Sequence, residues 1–173
     1  PAAAFMLSQR FDKIVLTTNG VNLVKCLLDG SIDPVKHINI SRHAIDDSLN
    51  QDVFKTTSIP GRDDLAKMIA LAEMHGKDVR LNVVSGEEMY GREHLLDWVE
   101  FAHSMGVNTI SFRTDSELVL DFVHEYEQRF IREGRKTTHE TGCPVCISRW
   151  YSYHGVNLAF KYSMTEPTDV GPY

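Results

Sequence analysis

Long apolar runs are missing from this chain. The longest, around Lys13–Leu16, are far too short to cross a bilayer, which excludes a transmembrane helix on sequence grounds. Cysteine is scarce and odd in number, three in 173 residues, which argues against the disulfide framework of a secreted protein. Reduced thiols and a cytoplasmic location are therefore expected. Basic stripes are also missing. With 24 acidic against 18 basic residues and a net charge of −6, interspersed along the chain, no nucleic-acid footprint is expected, although a small basic pocket is compatible with this balance. The start, Pro1-Ala2-Ala3-Ala4, has neither the charged segment nor the apolar stretch of a signal peptide. No Gly-rich phosphate loop, G-x-S-x-G elbow or H-E-x-x-H helix occurs, nor any low-complexity segment. The length suits one domain with a core of its own.

What is present is an alternation of strand-like and helix-like segments. Ala2–Arg10 has helix composition, and Ile14–Thr18 is a short strand closed by Asn19-Gly20. Val21–Leu28 is helical, and Val35–Ser41 is a strand in which Ile38 and Ile40 alternate with His37, Asn39 and Ser41. A loop is expected next. Leu65, Met68, Ile69 and Ala72 then recur at helical intervals up to Gly76. Val79–Val84 and Asn108–Arg113 read as strands, with helices over Arg92–Met105 and Leu118–Ile131. Strand–helix units repeated at about 30-residue spacing imply right-handed crossovers and a parallel sheet. Beyond residue 136 the rhythm changes. Thr137–Cys146 reads as a turn-rich connection, and Ile147–Tyr153 and Val156–Ser163 as a hairpin turning at His154-Gly155. Residues 1–136 thus form β/α units and 137–173 an extension of the same domain, with an irregular tail over Glu166–Tyr173.

Ligands of parallel sheets and barrels bind at the carboxyl ends of the strands. The first strand brings Thr17, Thr18 and Asn19 there, and the second Ser41, Arg42 and His43. The third brings Asn82, followed by Ser85-Gly86-Glu87, and the fourth Arg113, Thr114 and Asp115. Hydroxyl, amide, imidazole and guanidinium groups on one rim suit a polar ligand with a carboxylate, an amine and ribose hydroxyls. The competing reading is capping, in which Thr18 and Ser41 satisfy loop amides and Asp115 starts a helix. Asn82, between Leu81 and Val83, faces either a ligand or a polar group on a neighbouring strand.

Four motifs in order resemble the later strands of the radical S-adenosylmethionine (SAM) enzyme barrel. "IVLTTNG" at Ile14–Gly20 is similar to that family's third strand and "NISRHAID" at Asn39–Asp46 to its fourth. "RLNVV" at Arg80–Val84 is similar to the fifth and "ISFR" at Ile110–Arg113 to the sixth. The resemblance implies an α/β fold, a partial parallel (β/α) barrel of the radical SAM type, here with a C-terminal β-hairpin. It implies SAM at the strand ends, with Asn19, Ser41, Asn82 and Arg113 as matching positions and Thr18 and His43 as further contacts to SAM or substrate. It also implies a [4Fe–4S] cluster that cleaves SAM to a 5′-deoxyadenosyl radical, an electron donor such as flavodoxin or ferredoxin, and a small polar or peptide substrate.

The sequence departs from the family in lacking the C-x3-C-x2-C motif that holds the cluster. It begins where the Gly-Gly-Glu-Pro end of the family's second strand would stand. Two expectations follow: the chain is part of a longer enzyme whose cluster ligands lie elsewhere, or it is a cluster-free SAM- or nucleotide-binding module. Cys143-Pro144-Val145-Cys146 has the spacing of two ligands to one metal, with His139 as a possible third; a redox pair or simple turn cysteines are the alternatives. A zinc-binding interaction protein is the corresponding rival function, and an ordinary β/α enzyme with His43 as general base is another. Cys26, Trp98 and Trp150 read as packing residues, and His37, His75, His94, His103 and His124 as surface residues.

Overall fold

Alternation along the strands sorts the side chains into two faces. In the computed structural model, which describes residues 2–84, 95–114, 128, 137–142 and 146–163, β1 (Val15–Thr18) and β2 (His37–Ser41) run parallel. So do β3 (Asp78–Val84) and β4 (Thr109–Thr114). Ile38 and Ile40 of β2, Val79, Leu81 and Val83 of β3, and Ile110 and Phe112 of β4 are buried on one face. Removing each such side chain from water contributes about 1.5–3 kcal/mol. The residues between them are polar: His37, Asn39 and Ser41, then Arg80 and Asn82, then Thr109, Ser111 and Arg113.

Helices cover the apolar face. α1 (Ala2–Ser8) precedes β1, and α2 (Leu23–Leu28) packs on α4 (Arg62–Met74). Leu65, Met68, Ile69 and Ala72 of α4 share one buried stripe. α5 (Leu95–Ser104) lies against β4, with Trp98 edge-on to Phe112, ring centroids 6.3 Å apart. Both α4 and α5 stop in the same way: Lys77 N–H donates to Ala72 O and Gly76 N–H to Glu73 O, and Val107 and Gly106 repeat this on Ala102 and His103. Each stop delivers the chain directly into the next strand.

Three more strands complete the sheet. β5 (Thr137–Gly142), β6 (Cys146–Tyr153) and β7 (Val156–Ser163) give the order β1-β2-β3-β4-β7-β6-β5. β7 is parallel to β4, whereas β6 is antiparallel to both β7 and β5. The expected hairpin is present. Its two-residue turn has His154 at φ 47° and Gly155 at φ 80°, the pair of positive values that matches the twist of the flanking strands. The result is a mixed α/β fold on a mostly parallel sheet. Among the described residues that sheet is open, with β1 and β5 at its ends.

Two local expectations need correction. The segment expected to be a loop after β2 contains α3 (Asp47–Phe54). Its start is fixed by Asp46, whose side chain accepts from Leu49 N–H at 2.9 Å. The turn-rich connection contains β5, a polar strand paired, among the described residues, with β6 alone. The expected helix over Leu118–Ile131, apart from Gln128, and the tail after Ser163 lie outside the described residues. Among the described residues, no helix is long and apolar enough to cross a membrane.

Candidate functional site

Parallel register brings three polar residues into one row near the carboxyl ends of β2, β3 and β4. Ser41 pairs with Asn82, and Asn82 with Ser111. Neighbouring strands stand about 4.8 Å apart, so adjacent side chains in this row are in reach of one another or of one small ligand. Yet no hydrogen bond joins the three side chains. Ser111 is buried, at 6% exposure, and its hydroxyl has no hydrogen-bond partner among the described residues. Such a group costs about 1–3 kcal/mol when left unsatisfied, so its presence calls for an explanation. Asn82 and Ser41 beside it are half-buried.

The polar face grades from open to closed across the sheet. Val15 and Thr17 on β1 are exposed, Asn39 and Arg80 are half-buried, and Thr109, Ser111 and Ala159 are buried. At the amino ends, the Asp78 carboxylate joins His37 Nδ1 at 2.8 Å and Arg80 Nη2 at 2.8 Å. Burial raises the Asp78 pKa, but the hydrogen bonds from His37 and Arg80 outweigh it and hold the carboxyl below its ordinary value. This group ties β2 to β3 at the end away from the row.

Immediately beyond Ser41 the chain is clamped. Arg42, 2% exposed, donates from Nε to Ala44 O at 2.8 Å, from Nη1 to Pro60 O at 3.1 Å, and from Nη2 to Ile45 O at 2.8 Å and Asp47 Oδ1 at 2.5 Å. Asp47 Oδ2 in turn accepts from Arg62 N–H at 3.0 Å, at the start of α4. Desolvation raises the Asp47 pKa, and the hydrogen bonds from Arg42 and Arg62 more than offset it, leaving the carboxyl below its ordinary value. Asn50 Oδ1 accepts from the amides of His43 and Ala44, at 2.8 and 3.3 Å. Ser41 is thus held at the end of a loop fixed by one guanidinium and one amide.

The structure separates the six rim residues expected to meet a ligand. Ser41, Asn82 and Arg113 share the polar face, Arg113 standing one step beyond Ser111 and paired with Val84. Thr18 does not share it: its register partner is Ile40, on the apolar face, and its hydroxyl accepts from Gly20 N–H at 3.1 Å. Asn19, exposed, accepts from Val21 N–H at 3.2 Å. Both hydrogen bonds are the capping role that the sequence left open. Gly20 adopts φ 90° in this turn, and a Cβ there would stand 3.2 Å from Met68 Cε. The His43 ring stacks on Phe54 of α3 at 4.8 Å rather than standing in the row.

Cys143 lies outside the described residues, and Cys146 opens β6 opposite Ser163. Cys26 packs against the core, as expected of it. Among the described residues, no group of three His, Cys, Asp or Glu side chains could hold a metal ion. Two clefts open near the same end of the sheet, one of about 500 Å³ lined by Ile45, Asp46, Asp47, Arg62 and Asp97, the other of about 430 Å³ beside Gly20, Val24 and Met68. Neither contains Ser41, Asn82 or Ser111. The row outweighs them as a candidate because it combines convergence with an unsatisfied buried group. Comparison with known proteins assigns no family: no family model matches the chain, and no curated protein matches it significantly.

Proposed function

We propose that the row of Ser41, Asn82 and Ser111 binds SAM, and that this chain supplies later strands of a radical SAM enzyme. The observation that carries the reading is the unsatisfied, buried Ser111 hydroxyl in register with Asn82. Hydroxyl, amide and hydroxyl in one line can both donate to and accept from an amino acid or ribose portion. Strand order adds support. β1 to β4 follow one another in sequence and in space, with no reversal of direction across the sheet, as a partial barrel requires. The four motifs that resemble the family fall on these four strands.

Bound together, SAM and a reduced [4Fe–4S] cluster would supply radical abstraction of hydrogen from a substrate. The described residues do not fit the cluster, since among them no group of three His, Cys, Asp or Glu side chains could hold it. What this chain's residues do is bind and orient. Arg42 and Asn50 fix the loop after Ser41, and Ser111 forms the buried end of the row. A small polar or peptide substrate, a flavodoxin- or ferredoxin-type donor and a cytoplasmic setting complete the proposal.

The test uses the protein purified from its native source. After anaerobic treatment with iron, sulfide and a reductant, SAM is added and 5′-deoxyadenosine is measured. Time-dependent 5′-deoxyadenosine supports the reading. Saturable SAM binding with no 5′-deoxyadenosine would instead establish a SAM-binding module without radical chemistry.

A further inference from the structure

We draw no further inference here: the strongest candidate, the cleft of about 500 Å³ at the start of α4 lined by Ile45, Asp46, Asp47, Arg62 and Asp97, is a cluster of acidic side chains in which nothing beyond the cluster itself points to a ligand.

Discussion

The hydroxyl of Ser111 lies beside Asn82 in the register of β4 and β3, buried and without a hydrogen-bond partner among the described residues. A core that served packing alone would gain by replacing that hydroxyl with hydrogen. Ser111→Ala is therefore expected to raise stability by about 1 kcal/mol, through relief of an unsatisfied buried group. Urea unfolding midpoints check this. A loss of stability of similar size would mean that the hydroxyl has a partner in solution and is structural.

Arg42 makes the opposite prediction. Its four hydrogen bonds hold three carbonyls and the Asp47 carboxylate around one buried guanidinium. Arg42→Met keeps much of the volume but leaves those acceptors without their donor. The expected cost is about 2–4 kcal/mol, read from urea unfolding. A change below about 0.5 kcal/mol, the usual range of surface substitutions, would show that the loop after Ser41 is not held by this residue.

Acid should loosen the same loop. Asp47 and Asp78 both sit below the ordinary aspartate value of 3.8. A carboxyl whose pKa is depressed by folding contributes stability that is complete above its unfolded value and is lost as pH falls through the folded one. Stability should thus hold from neutral pH down to about pH 5 and decline below about pH 4. Asp47→Asn and Asp78→Asn should each be less stable at neutral pH and show a shallower decline in acid. Urea midpoints across that range supply the test, and an unchanged acid slope in both variants would contradict it.

The hairpin of β6 and β7 depends on its turn. A Cβ on Gly155 would meet His103 Cε1 at 3.8 Å, an ordinary contact, so Gly155→Ala should cost only the backbone strain of φ 80°. That strain is about 1–2 kcal/mol, measurable by thermal unfolding.

Periodicity made the parallel strands legible, because Ile38 and Ile40, or Ile110 and Phe112, alternate with polar neighbours wherever one face is covered by helices. The same alternation held the information that separates the rim residues. Successive side chains on a strand face opposite ways, so Thr18 had to point away from Thr17. Ser111, polar between Ile110 and Phe112, carried the same signal as Asn82 between Leu81 and Val83, but its missing partner shows only in three dimensions. α3 was not legible because its one buried residue, Asn50, is polar, leaving no apolar stripe; Asp46 as an N-cap was the available sign. β5 reads Thr-Thr-His-Glu-Thr-Gly, with no alternation, and stands at the end of the sheet among the described residues.

Isothermal titration of SAM into the full chain, wild type against Asn82→Ala, tests the central claim most directly. The Asn82 side chain is half-buried in the middle of the row, so its removal should spare the fold while weakening SAM binding about tenfold, the worth of one or two hydrogen bonds. Saturable binding with that loss is the predicted result. No saturable binding to the wild type, or equal affinity in Asn82→Ala, would contradict the assignment of the Ser41–Asn82–Ser111 row to SAM.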